Sequence, residues 1–155
     1  MNIDELKQLL ATFDAVDLHG PVDESVIERS ELHLGFVLPP QYRVFVREFG
    51  CGGVGSEEFI GLGGPPHLDL VTLTERLRQR SRLIPENYYP LRADGFGNYD
   101  CLDVTHPTHD GEFAVVEWRH DVEQASPSRV LAHSYFEWFE QILGFIEKDD
   151  AIEGQ

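Results

Sequence analysis

Cysteine is scarce in this chain, which has only two in its 155 residues, Cys51 and Cys101. Small secreted domains without a large core rely on several disulfides, so this composition excludes a scaffold of that kind. The first residues, Met-Asn-Ile-Asp-Glu-Leu, contain neither the basic segment nor the apolar segment of a signal peptide. We therefore expect a cytoplasmic protein whose two thiols are reduced.

Long apolar runs are also missing, and none approaches the ~20 residues that a membrane span requires. Basic residues are few, because 12 lysines and arginines accompany 28 aspartates and glutamates, which gives a formal net charge of −16. Such a surface repels the phosphates of nucleic acids and of anionic lipids, so direct binding to either is disfavoured. A basic protein partner would be attracted. Solubility alone is the simpler explanation of the same charge.

Signatures of cofactor binding and catalysis are absent or lack their structural context. Gly50–Gly55 has the glycine spacing of a dinucleotide-binding loop, but that loop must follow a strand and open a helix, and here a predicted helix precedes it. Cys51 follows the same helix, whose C-terminal dipole disfavours a thiolate nucleophile. A Gly-x-Ser-x-Gly sequence of serine hydrolases does not occur. We predict that the protein is not an enzyme and binds no cofactor.

One loop offers metal-ligating groups, at His106, His109 and Asp110. Zinc requires three or four converging ligands, and no second pair of matching spacing accompanies these residues. A polar surface loop is therefore the favoured interpretation, and a metal site is the alternative.

The strongest local pattern lies between residues 34 and 55. Gly35 is placed to end one helix in a left-handed cap. Pro39 and Pro40 suit the first turn of the next helix, which then presents one apolar face. Gly50–Gly55 follows and predicts a sharp turn of the backbone.

Periodicity predicts the remaining elements. Apolar residues at helical spacing begin near residue 3, and capping-box sequences at Ser25, Thr72 and Ser134 predict three further helix starts. Asp23 can also cap the helix that starts near Ser25. A short strand is predicted at 58–62. Alternation of side chains with a period of two then predicts strands over 88–93, 99–104, 113–119 and 129–132. The predicted fold class is α+β: an antiparallel, or mixed, twisted sheet of about five or six short strands, with N-terminal helices and a closing C-terminal helix packed against it. We expect one domain over residues 1–148 and a frayed acidic tail over 149–155.

Negative charge is concentrated in the second part of the chain. Residues 93–155 hold 14 acidic and 3 basic side chains, whereas residues 1–92 hold 14 and 9. Acidic residues surround a glycine-rich turn in which Asn98 is suited to a left-handed conformation. A tight hairpin with solvated carboxylates explains this pattern, and a rigid turn that presents acids to a partner is compatible with it. The candidate partner-binding residues are Asp94, Asn98, Asp100, Asp103, Asp110, Glu112, Glu117 and Asp121.

Two stretches resemble the SUKH superfamily, the family of Smi/Knr-type domains. The first comprises Leu34-Gly35, Leu38-Pro39-Pro40-Gln41-Tyr42 and Phe45–Gly50 with Gly52-Gly53, which is similar to the family's Leu-Gly, Leu-Pro, Tyr, apolar helix and glycine stop. The second comprises Asp94–Asn98, Cys101–Asp103, and Phe113–Trp118 with His120, which resembles its glycine-rich turn and two sheet strands. The order of elements agrees over about residues 20–147. Gly50-Cys51 departs from the Asn of many members, and residues 121–133 match no family pattern.

The resemblance implies a fold and a function. The fold is α+β, with helices flanking a sheet. The function, in bacteria, is that of an immunity protein, which binds and neutralises a cognate toxin. Such toxins are often nucleases or nucleic-acid deaminases, which tend to be basic, and the acidity of this chain is consistent with such a target. We expect a stoichiometric inhibitor that is a monomer or a weak dimer. The alternative is a cell-wall or regulatory scaffold that binds endogenous proteins.

Overall fold

A computed structural model describes the backbone of residues 1–80, 84–121 and 128–153. Side chains are described for the same residues as far as Ile146. Helices alternate with short strands and a long helix closes the chain, which confirms the α+β class. The elements are α1 (Ile3–Leu10), β1 (Val16–Leu18), α2 (Glu24–Leu34), α3 (Pro40–Phe49), β2 (Gly52–Val54), β3 (Glu57–Phe59), a 3-10 helix (Pro66–Leu68), α4 (Leu70–Arg80), β4 (Tyr88–Ala93), β5 (Tyr99–Asp103), β6 (Ala114–Trp118), β7 (Arg129–Ala132) and α5 (Tyr135–Glu153).

The strands form two sheets, where one was expected. Strands β1-β2-β3 make a three-stranded sheet and β4-β5-β6-β7 a four-stranded one, and all strand pairs are antiparallel. The strands over 88–93, 99–104, 113–119 and 129–132 are confirmed within a residue at each end. The glycine run predicted as a turn contains strand β2, the centre of the smaller sheet.

Close backbone packing explains why a glycine-rich segment forms this strand. Gly52 has a φ of +142°, and a Cβ atom there would lie 2.3 Å from the carbonyl oxygen of Asp17 in β1. The two strands therefore approach more closely at this point than a side chain would permit. A glycine run without alternating apolar residues gives no period-two signal, which is why β2 was not predicted.

Several predicted helix ends are confirmed. Gly35 ends α2 with a φ of 85°, in the left-handed conformation, and Pro39 precedes α3, whose first residue is Pro40. Ser134 Oγ accepts a hydrogen bond from Glu137 N at the start of α5, at 3.4 Å. The capping box at Thr72 is wrong, because α4 begins two residues earlier and Asp69 accepts from Thr72 N at 3.0 Å.

The start of α2 and the end of α5 complete this description. Asp23, one of the two predicted caps, is the N-cap of α2, and its side chain makes no capping hydrogen bond. Helix α5 continues through Glu153, so the segment predicted as an acidic tail is helical over residues 149–153. Residues 154–155 lie outside the described part of the chain.

The main core lies between α3, α5 and the strands. Phe139 of α5 lies 5.3 Å from Phe45 of α3 and 4.4 Å from Phe59 of β3, measured between ring centroids. A smaller core on the four-stranded sheet contains Trp118 and Cys101, whereas Cys51 belongs to the main core. The two cysteines are buried, free thiols in separate clusters.

Candidate partner interface

The four-stranded sheet carries or borders all eight residues that were predicted to bind a partner. Three of them are buried: Asn98, Asp100 and Glu112 are 7%, 5% and 6% exposed. A buried polar side chain is normally satisfied by internal hydrogen bonds, and a partner has no access to it. These three residues therefore hold the fold together, and the contact surface must be sought among the other five.

Asp100 connects β5 to α5. Trp138 Nε1 donates to Asp100 Oδ2 at 3.0 Å, and Arg92 Nε donates to the same oxygen at 3.1 Å. Arg92 also donates to Glu57 Oε2 at 2.8 Å, which joins the two sheets. A buried carboxylate that is paired and hydrogen-bonded in this way is a structural element.

Asn98 fixes the turn between β4 and β5. Its side-chain Nδ2 donates to Asp94 Oδ2 at 2.8 Å, and its side-chain Oδ1 accepts from the backbone N–H of His120 at 3.1 Å. Among the described residues only glycines have positive φ, so the left-handed conformation expected of Asn98 is wrong. Gly95 and Gly97 adopt it, with φ of 87° and 91°.

Asp94 is held rigidly in this turn. Its Oδ1 accepts from the N–H groups of Phe96 and Asn98, at 2.7 and 3.1 Å. Partial burial acts to raise the pKa of Asp94, but these hydrogen bonds and the Asn98 amide outweigh it and lower the pKa below its usual value. Asp94 is therefore a fixed and ionised carboxylate.

Glu112 is placed at the N-terminus of α3. Its Oε2 accepts from the backbone N–H of Gln41 at 3.2 Å, whereas its Oε1 is buried without a hydrogen-bond partner. Burial raises the pKa of this carboxyl, the Gln41 hydrogen bond lowers it, and the net shift is upward. The folded protein therefore favours protonated Glu112 more than the unfolded chain does.

Replacing Glu112 by glutamine should change how stability depends on pH. Because the pKa of Glu112 is raised in the folded state, its contribution to the free energy of unfolding is complete at low pH. That contribution is lost as pH rises from the unfolded-state pKa through the folded-state pKa. Glutamine keeps an acceptor for Gln41 and carries no charge to desolvate. We expect Glu112→Gln to gain stability relative to wild type as pH rises through the unfolded-state pKa and then the raised folded-state pKa of Glu112. Urea denaturation at several pH values measures this, and a pH-independent difference would contradict it.

The five other predicted residues lie at two ends of the sheet or between them. Asp94 and Asp121 belong to the end with the β4–β5 turn, and Asp103 and Asp110 to the opposite end. The length of β5 separates the two ends by roughly 13 Å. Glu117 lies between them, opposite Asp100. Asp110 and Asp121 are exposed, and the others are half-buried. The predicted acids therefore do not form one compact cluster.

Acidic residues of the smaller sheet lie beside Asp94, at the end of the four-stranded sheet that carries the β4–β5 turn. A cavity of 280 Å³ is lined by Asp94 together with Glu57 and Glu58 of β3. No sequence pattern indicated these residues, because the first part of the chain is less acidic and β3 was predicted without a partner strand. Only the packing of the two sheets brings them to Asp94.

The histidine loop does not assemble a metal centre in the part of the chain that the structure describes. His109 Nε2 lies 3.2 Å from Asp110 Oδ1, and both side chains are exposed. Across residues 1–80, 84–121 and 128–153, no group of three or more histidine, cysteine, aspartate or glutamate side chains could hold a metal ion. None of the described helices combines the length and the apolar character needed to cross a membrane.

The sequence profile of the SUKH_5 family, described as SMI1-KNR4 cell-wall, matches residues 1–144. The chain belongs to the SUKH superfamily. The match spans both sheets and about half of α5, and it reaches further toward the N-terminus than the motifs alone suggested. No curated protein sequence matches the chain.

Proposed function

We propose that this SUKH domain is an immunity protein, which binds a cognate bacterial toxin and neutralises it in a stoichiometric complex. The observation that carries the proposal is the family match over residues 1–144. The net charge of −16 favours a basic target, such as the toxin domain of a nuclease or a nucleic-acid deaminase. The proposed mechanism is occlusion, because the acidic surface would compete with the nucleic acid for the toxin's basic groove.

Rigid acids suit this task. Asp94 is fixed by three hydrogen bonds within its own turn, so little side-chain entropy is lost when a partner binds it. Asp121 is exposed and lies 3.4 Å from Arg119, an ion pair that solvent screens and a partner can replace at small cost. The negative electrostatic field of this surface would also speed the encounter with a basic protein by about 10- to 1000-fold at low salt.

Co-expression with the toxin domain encoded beside its gene tests the proposal. We expect the SUKH domain to restore growth, and an unrelated acidic protein of similar net charge to give no protection. The association rate of the purified proteins should fall about tenfold or more between about 50 mM and 500 mM salt, because screening removes the steering. Failure to protect the cells would refute the proposal.

The alternative is a scaffold that binds endogenous proteins, which the family description, SMI1-KNR4 cell-wall, favours. An affinity pull-down from cells that lack the toxin gene separates the two functions. Stable endogenous partners in stoichiometric amounts would support the scaffold.

A further inference from the structure

The three-stranded sheet has one covered face and one open face. Val54 and Phe59 are fully buried on the covered face, against the main core. On the open face, the strand register aligns Asp17 of β1, Gly53 of β2 and Glu58 of β3 in one row. Two exposed carboxylates therefore flank a position without a side chain.

This row lines a cavity of 710 Å³ that adjoins a second one. The second is the cavity of 280 Å³ that Asp94 lines, and the two linings share Ser56, Glu58, His67 and Leu68. We call the two cavities together the acidic groove. Among the described residues that line either cavity, none is lysine or arginine. The groove therefore combines a concave shape with a single sign of charge.

Gly53 leaves the floor of the groove open, although its own backbone does not require glycine. Its φ is not positive, and the nearest atom that a Cβ would meet is the carbonyl oxygen of Glu57, at an ordinary 3.5 Å. Gly52, by contrast, has no room for a side chain. Glycine within a strand weakens the strand and often marks a point where a ligand approaches the backbone closely.

We propose that the acidic groove is the docking site for an extended basic segment of the toxin, with a lysine or arginine side chain above Gly53 between Asp17 and Glu58. This inference rests on the proposed function. Charge complementarity identifies the occupant, since the described lining offers carboxylates and imidazoles but no lysine or arginine, and the neighbouring Arg92 pairs with Glu57 and not with Asp17 or Glu58. An arginine would bind a carboxylate through two parallel hydrogen bonds.

Glu58 is available for this contact. Its present partner is His67, at 3.1 Å, and both side chains are largely exposed. Exposed ion pairs of this kind are weak, so Glu58 exchanges His67 for a basic side chain of the partner at little cost. Asp94 at the far end of the groove supplies a further fixed carboxylate, so the site suits several basic residues in sequence.

Three variants test the groove in binding assays with the purified toxin domain. Asp17→Asn/Glu58→Gln removes two charges from it, and Gly53→Val fills its floor without changing the net charge. Glu86→Gln/Glu140→Gln removes two charges from exposed residues that do not line the groove. We expect both groove variants to raise the Kd for the toxin domain by about tenfold or more, and the control to change it by less than about twofold. Circular dichroism checks that all variants are folded.

The outcomes separate this inference from the proposed function. If the groove variants bind the toxin domain like wild type, the docking site is wrong and the immunity function stands. If the wild-type protein does not bind the toxin domain, the proposed function fails, and a peptide of alternating arginine and glycine then probes the groove. We expect that peptide to shift the NMR amide signals of Asp17, Gly53 and Glu58 in wild type and not in Gly53→Val. The inference would be overturned if the peptide shifted amide signals equally over the whole acidic surface. It would also be overturned if the peptide caused the same shifts in Gly53→Val as in wild type.

Discussion

Replacing Asp100 by alanine will lower the free energy of unfolding by about 3 to 5 kcal/mol. The carboxylate is 5% exposed and accepts hydrogen bonds from Trp138 Nε1 and from Arg92. Alanine would leave the buried indole N–H without an acceptor and would weaken the junction between the two sheets. Guanidinium denaturation measures the loss.

Two comparisons make this result specific. Asp100→Asn keeps an oxygen that can accept from Trp138, so we expect it to be less damaging than alanine. Asp110→Ala removes an exposed aspartate from the same group of predicted contacts and should change stability by less than about 0.5 kcal/mol. If Asp100→Ala were no more destabilising than Asp110→Ala, the structural role of Asp100 would be wrong.

Alanine at Gly52 will destabilise the protein by roughly 3 kcal/mol, whereas alanine at the adjacent Gly53 will leave stability within about 1 kcal/mol of wild type. The two residues are neighbours in β2, but a Cβ at Gly52 would lie 2.3 Å from the carbonyl oxygen of Asp17, and its φ of +142° disfavours any side chain. A Cβ at Gly53 has ordinary clearance. Thermal and urea unfolding of the two variants, side by side, measure the difference.

This pair also tests the smaller sheet. If the glycine run were a turn, as its composition suggests, nearby backbone from β1 would not restrict either position. Similar stabilities for Gly52→Ala and Gly53→Ala would therefore contradict the close pairing of β1 with β2. A large loss at Gly52 alone would support it.

Helices and long strands were predictable because their signals are local. Gly35, Pro39 and Pro40 define a helix end and a helix start from conformational preferences that need no tertiary context. The strand-like composition of β5 and β6 between turn residues is likewise a local signal. The resemblance to SUKH domains rests on these same segments, which is why the family was identified correctly.

The smaller sheet was harder to predict for a physical reason. Strands β1, β2 and β3 have three residues each, too few to show a period, and β2 is mostly glycine. Its pairing depends on how closely two backbones approach, which composition does not encode. The open face that carries Asp17, Gly53 and Glu58 was missed together with the sheet.

Burial of the candidate acids was also not readable from the sequence. Asp100 and Glu112 look like surface carboxylates beside turns, and their partners, Trp138 and Gln41, are distant in the chain. Whether a carboxylate faces solvent or a buried donor depends on how α5 and α3 pack on the sheet. A sequence motif identifies the turn, and packing decides which of its acids remain exposed.

We propose that this protein neutralises a toxin by binding it one to one. Titrating a fixed amount of the toxin domain with the purified SUKH domain, at concentrations well above the Kd, measures it directly. We expect toxin activity to fall linearly and to be abolished at one molar equivalent. Toxin activity that persists at a large molar excess of the SUKH domain would contradict it.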